Sequence, residues 1–275
     1  MDLSGKHVLI TGGSSGIGLA AAKLMARDGA NVSIAARNLE GLGKALAEVR
    51  AAATHPSQIC QAFSVDVTVH QQVEELVNTL AQADQIPDIL INAAGSARPG
   101  YFQELPLEVF HRMMMLNFFG TVHTCKALVP HMIQRRSGVI VNVSSTAGFL
   151  GVFGYTAYGA SKFAVTGFSE ALRTELKPYG IQVATLFPPD TDTPGFKQEN
   201  ETKPLETRII SGTIKLASAE DVAKALIKGI EQKKAVILPG VENKLLYTLR
   251  GLLRPLMDWY FDRCAAKARK IKTER

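Results

Sequence analysis

Cysteine is scarce: Cys60, Cys125 and Cys264 are the only three in 275 residues, and they stand far apart. An odd number at such spacing excludes a disulfide framework and a cysteine-based metal cluster, and it leaves buried free thiols. Aromatic residues make up 7% of the chain. None interleaves with the basic residues at the C-terminus, so a stacking surface for nucleic acid is not expected. No apolar run is long enough to cross a bilayer, and the opening MDLSGKHVLI lacks the cationic region, apolar core and cleavage site of a signal peptide. The expectation is a cytoplasmic protein. Repeats and low-complexity linkers are also missing, which removes solenoid and tethered-domain architectures.

What is present is an apolar content of 46%, enough for a full core. The formal charge is +6, and a net +5 of it lies between Arg263 and Arg275, where Glu274 is the one acid. Most of the chain is therefore nearly neutral, and its tail is basic. A solvated tail and a contact with an anionic membrane surface both fit that distribution.

Residues 6–11, KHVLIT, read as a buried strand that ends in GGSSGIG, and residues 19–27 have helical character. Strand, glycine turn and helix form the setting for a phosphate, because helix N-terminal amides and the macrodipole favour an anion. Gly12, Gly16 and Gly18 would let the backbone turn tightly and approach a pyrophosphate. The second strand, residues 30–36, ends without the acid that would bind a ribose 2′-hydroxyl; Ala36 holds that position and Arg37 follows. A guanidinium suits a 2′-phosphate, with Ser14 and Ser15 as further donors, so the pattern favours NADPH over NADH.

The third strand, residues 58–64, runs into Asp66, which either caps the next helix or meets an adenine amino group. Residues 88–92 form the fourth strand, closed by AAG. Across residues 105–131 the helical pattern carries Met113, Met114, Met115, Phe118 and Phe119, which read as core. Asn117 interrupts that stripe and requires a hydrogen-bond partner, which a purely structural contact would satisfy. Strands and helices alternate throughout, so the fold class is α/β, with a parallel sheet and its ligand at the strand C-terminal ends.

Ser145 follows the fifth strand, residues 138–144, and Tyr158 and Lys162 lie four residues apart on a helix over residues 156–177. That spacing stacks the phenol and the ammonium on one face, where the cation would favour the phenolate and make Tyr158 a proton donor near working pH. Beyond the sixth strand, PPDTDTPGF at residues 188–196 offers Asp190, Thr191, Asp192 and Thr193 to a nicotinamide carboxamide, or as a lid. Residues 198–208 show no apolar period and read as an exposed or mobile flap. A last helix and strand, residues 219–232 and 235–238, complete seven strands. After Gly240, Leu245, Leu249, Leu252, Leu253, Leu256, Met257 and Tyr260 follow helical spacing, and Pro255 is expected to kink or break that helix. With Arg250 and Arg254 beside it, the stripe suits a membrane interface or another subunit.

Through TGGSSGIG at residues 11–18, NAAG at 92–95, Asn117, Ser145 and YGASK at 158–162, the chain resembles the short-chain dehydrogenase/reductase family over about residues 5–240. The resemblance implies a single Rossmann-like, doubly wound NADPH-binding domain over residues 1–240, with a mostly parallel seven-stranded sheet and an amphipathic, basic C-terminal extension over residues 241–275. It also implies roles: Tyr158 protonates a carbonyl, Ser145 orients it, Lys162 holds the nicotinamide ribose and lowers the tyrosine pKa, and Asn117 holds a water. Ser144 stands in reserve for Ser145. Cofactor contacts then fall on Gly12, Ser14, Ser15, Gly16, Ile17, Gly18, Arg37, Asp66, Val67, Asn92, Tyr158, Lys162 and Thr193, with no metal. Family members commonly pair through the helices that hold Asn117 and Tyr158, which implies a homo-oligomer. PPDTDTPGF and ENETKPLETRIIS, residues 199–211, are similar to the corresponding region of 3-ketodihydrosphingosine reductases, which implies NADPH-dependent reduction of a long-chain keto-sphingoid base. An NADPH ketoreductase for a steroid, retinoid or acyl thioester is the alternative, and a non-catalytic cofactor-binding scaffold is the alternative of another class.

Overall fold

The computed structural model describes residues 3–212 and 216–273. The alternating pattern becomes β1 (His7–Thr11), α1 (Gly16–Arg27), β2 (Asn31–Ala36), α2 (Leu39–Ala52), β3 (Cys60–Ser64), α3 (His70–Gln82) and β4 (Ile89–Asn92). Next come α4 (Leu107–Met113), a π-helical turn (Met114–Phe119), α5 (Gly120–Arg135), β5 (Gly138–Val143), α6 (Thr156–Leu176) and β6 (Ile181–Leu186). The last part holds β7 (Thr191–Asp192), α7 (Pro194–Glu201), α8 (Leu205–Ser211), β8 (Ala217–Ser218), α9 (Ala219–Glu231), β9 (Val236–Ile237) and α10 (Val241–Thr273). Met1, Asp2, Glu274 and Arg275, which belong to the N-terminal segment and basic tail read above, lie outside the described residues.

Seven strands form one sheet in the order β3-β2-β1-β4-β5-β6-β9, and every pair is parallel. Such a sheet must be covered on both faces, because its central strands are mostly apolar on both; every residue of β4 and β5 is buried. Val8, Ile10, Val32, Ile34, Ile89 and Ile91 pack toward α1, α2 and α9. Leu9, Leu90, Ile140 and Val183 alternate with them and pack on the other face, against Val73, Leu76, Leu128 and Met132 of α3 and α5. Strand order reverses between β1 and β4, which opens a crevice at the C-terminal edge of the sheet.

One expectation about the later chain is overturned and another is narrowed. Residues 198–208 are not an exposed flap: α7 and α8 occupy them, and Lys203, Glu206 and Thr207 are buried. The period was absent because this segment buries paired polar groups where a core helix would bury aliphatic ones. Nor does Pro255 break the final helix, since α10 continues for 33 residues through it. Proline removes one backbone donor, and the ladder on either side is long enough to carry the gap. Helix α10 turns back over α8, where Cys264 and Ala268 are buried and Lys272 Nζ lies 2.8 Å from Glu206 Oε1.

Candidate active site

A cavity of about 1420 Å³ lies over the strand ends and is walled by the glycine turn, the ends of β2, β4 and β5, residues 188–199 and α10. At its floor, the turn after β1 is shaped by its own packing. Gly12 has φ +70°, and a Cβ there would come within 2.7 Å of the Ala93 carbonyl oxygen, while one on Gly18 would overlap the Gly12 carbonyl. Ser15 precedes α1 without capping it by a side chain, so the first-turn amides keep capacity for an anion. Ser14, Ser15, Gly16 and Ile17 line the cavity here, with Thr193 across from Gly16. This cradle fits the pyrophosphate of a dinucleotide.

At the adjoining end of β2, Arg37 is largely exposed and its Nη1 lies 3.8 Å from Asp66 Oδ2. Asp66 does not cap α3, whose N-cap position is Val69. Its Oδ1 instead accepts from the Thr68 amide at 2.9 Å and the Thr68 hydroxyl at 2.8 Å, and both Asp66 and Val67 line the cavity. Asn92 departs from expectation. Its amide points into the core, donating to Asn142 Oδ1 at 2.9 Å and accepting from the Thr124 hydroxyl at 2.6 Å, so a buried polar group is satisfied there and not at the cofactor. The following Ala93, Ala94 and Gly95 take its place along the wall.

Beyond this floor, β5 delivers Ser144 and Ser145, and α6 delivers Tyr158 and Lys162, all to one side of the cavity. The two serines are distinguished by their partners. Ser144 Oγ is taken up by the Lys162 carbonyl and the Thr166 hydroxyl, each at 3.0 Å, whereas Ser145 Oγ accepts from the Ala147 amide at 3.1 Å and lies close enough to the Tyr158 hydroxyl to act on its titration. Lys162 Nζ donates to the Val143 carbonyl at 2.8 Å and lies 5.9 Å from the centre of the Tyr158 ring. Burial lowers its pKa to about 8. Tyr158 is shifted the opposite way from expectation. Burial raises it, Ser145 works against that, and the negative charges of Glu199 and Asp190 raise it further. Desolvation of the phenolate is the largest of these influences, so the ring holds its proton at neutral pH.

Asn117 sits in the π-helical turn and is 1% exposed. Its Nδ2 donates to the Ser96 carbonyl at 3.0 Å and to Ser161 Oγ at 2.9 Å, and its Oδ1 accepts from the Ser96 amide at 2.9 Å. Both amide donors are therefore used, which realises the structural contact that its place in an apolar helix requires. A Cβ on Gly95 would lie 2.9 Å from Asn117 Oδ1 and 3.4 Å from Lys162 Nζ, so the two side chains border the same glycine.

Three residues of this site had no clear signal in the sequence. Tyr155, buried beside Tyr158 with ring centres 5.6 Å apart, donates its hydroxyl to Glu199 Oε1. Lys203 Nζ stands 3.0 Å from the same oxygen and 3.9 Å from Asp190 Oδ2. The four-residue step from Glu199 to Lys203 was the available hint, but an i,i+4 ion pair is ordinarily a solvated one.

The family pattern described as short chain dehydrogenase matches residues 6–204. The chain belongs to this family. Among curated proteins, the 3-ketodihydrosphingosine reductase of Bos taurus is 44% identical over 257 residues, covering 93% of this chain and 77% of that protein. The 3-dehydrosphinganine reductase of Danio rerio is 41% identical with the same coverage. Among solved structures, a short-chain dehydrogenase from Sphingobium yanoikuyae in complex with NADPH superposes with a TM-score of 0.77 at 29% identity, covering 92% of this chain and 95% of that one.

Proposed function

We propose that this short-chain dehydrogenase uses NADPH to reduce the C3 ketone of 3-ketosphinganine, giving sphinganine. The observation that carries the reading is one cavity holding the Ser145–Tyr158 pair and Lys162 between a glycine cradle and an apolar wall from α10, formed by Leu246, Met257, Tyr260 and Phe261. Relatives more than 40% identical over most of the chain bear the name of that reductase, which supports the substrate. Arg37 at the β2 end supports the phosphorylated cofactor, as does the NADPH complex of the structural neighbour.

Gly12, Ser14, Ser15, Gly16 and Ile17 would hold a reduced nicotinamide dinucleotide along the cradle, and its chemistry there would be donation of a hydride to the carbonyl carbon. Ser145 donates to the carbonyl oxygen and holds it beside Tyr158. The Tyr158 hydroxyl then transfers its proton to that oxygen as negative charge develops there, and the O–H bond that forms replaces the one that breaks. Lys162, still protonated below its pKa of about 8, stabilises the phenolate left behind. Asn117 keeps the Ser96–Ser161 contact closed and so positions α6 under the site.

The outward face of α10 exposes Leu245, Leu252, Leu256 and Trp259 among Lys244, Arg250 and Arg254. This favours peripheral contact with an anionic bilayer as the route for a lipid substrate; no helix among the described residues is long and apolar enough to cross one. The reading is tested by following oxidation of NADPH and NADH in parallel with 3-ketosphinganine and an acetoacetyl thioester. Turnover of the sphingoid ketone with NADPH preferred is expected. Indifference to that ketone, with good turnover of the thioester, would remove the substrate assignment.

A further inference from the structure

Resting on that reading, we infer that Glu199 and Asp190 seat the ammonium group of the substrate, so that the protein selects a long-chain 2-amino ketone over a neutral ketone. Both carboxylates line the same cavity as Tyr158 and Ser145. Among the described residues, one cation is paired with them there, Lys203, whose side chain is 2% exposed. Two carboxylates against one ammonium leave the group one positive charge short. Lys203 Nζ lies 3.0 Å from Glu199 Oε1 but 3.9 Å from Asp190 Oδ2, and with Tyr155 on Glu199 and Ser211 on Asp190 the four carboxylate oxygens still keep lone pairs for a further donor. Burial raises the pKa of each acid despite Lys203, as expected of a site that lacks compensating charge.

Placement agrees with the chemistry of the ligand. In a 2-amino ketone the ammonium is on the carbon next to the carbonyl, so its nitrogen lies about 3 Å from the ketone oxygen by covalent geometry alone. When Ser145 and Tyr158 hold that oxygen, the ammonium must be seated beside Tyr158, where Tyr155 presents Glu199. The same charges bear on the chemistry. Glu199 and Asp190 each oppose loss of the Tyr158 proton, so a cation seated between them and the phenol relieves that opposition as the substrate arrives. A neutral ketone would bring no such relief, and the selection would then appear in kcat as well as in KM.

The test compares 3-ketosphinganine with its 2-deamino analogue, using the full chain and NADPH. Wild-type kcat/KM is expected to be about 10- to 100-fold higher for the amino ketone, the scale of one charge-assisted hydrogen bond between desolvated partners. Glu199→Gln and Asp190→Asn, made separately, should each shrink that ratio toward unity, and reading a ratio cancels any general loss of folded protein. Equal efficiency of wild type on both ketones would overturn the inference while leaving the reductase reading intact, as would an unchanged ratio in both variants. Turnover of neither ketone would overturn the reductase reading itself.

Discussion

The floor and the roof of the cavity are built on different terms. Tyr158 and Lys162 stand on a 21-residue helix packed against the central strands, and Ser145 follows a strand that is buried along its whole length. At the roof, α7 and α8 are 8 and 7 residues long, and the two-stranded β7–β8 pairing beside them involves two residues from each strand. They are held by buried polar contacts: Tyr155 and Lys203 to Glu199, and Tyr101 and Lys272 to Glu206. The floor is therefore set by apolar area and by the backbone ladder. The roof depends on a few directional contacts, which cost more when broken singly and which place charge next to Tyr158.

The sharpest probe of the floor is Tyr158→Phe, which removes the proposed proton donor and leaves the cradle alone. It should lower kcat/KM by about 10²- to 10⁴-fold while NADPH affinity, followed by fluorescence titration, stays within about threefold. Near-normal turnover would move the acid elsewhere and erase the distinction between floor and roof. Arg37→Ala, at the other end of the floor, should cost NADPH about 10- to 100-fold in affinity and leave NADH little changed. An equal loss for both cofactors would make Arg37 structural.

The pH profile gives a third, intermediate effect. Below about 8 Lys162 is protonated, so its ammonium is available to Tyr158; above that value the folded protein releases the proton well before an ordinary lysine at 10.5 would. The rate of ketone reduction should therefore fall as pH rises through about 8, with the limb displaced or lost in Lys162→Arg, and a flat profile to pH 10 would contradict the burial of Lys162.

At the roof, Glu206→Gln should loosen α10 and lower Tm by about 2–4 °C, the response of a chain of this size to about 1 kcal/mol. Burial pushes the Glu206 carboxyl upward, but donation from Lys272 and Tyr101 outweighs it, so its folded pKa lies below the ordinary 4.5. The contribution is thus present above that value and is lost as pH falls through the lower folded one; melting curves that converge for wild type and variant in acid would show it. The smallest effect is expected on the outer face, where Leu252→Ser with Trp259→Ser should weaken binding to anionic vesicles severalfold and leave Tm within about 1 °C.

The difference between floor and roof also divides what could be read from residues alone. The glycine turn, Arg37, Ser145, Tyr158 and Lys162 were legible because each is tied to a strand end or a helix face by short-range spacing. The seven-stranded parallel sheet was legible for the same reason, from runs of fixed period. Asn92 was misplaced because its neighbours line the cavity while its own side chain alternates into the core. Tyr158 was expected to have a lowered pKa because four-residue spacing reports a neighbour and says nothing of burial. Residues 198–208 gave no period, and their burial is explained by Tyr101, Tyr155 and Lys272, which are remote from one another in the chain and meet Glu199 and Glu206 of that segment.

By itself, then, the order of residues determined the class of fold, the glycine cradle and the placing of the proposed trio of Ser145, Tyr158 and Lys162 at strand end and helix face, since periodicity and turn chemistry act over a few residues. Tertiary structure alone decided that α10 closes the cavity through Pro255, and that Glu199, Asp190 and Lys203 meet beside Tyr158. Those placements come from pairing buried charges across long stretches of chain, and such pairing has no local signature because its energy depends on desolvation, which exists only once the surrounding layers have packed.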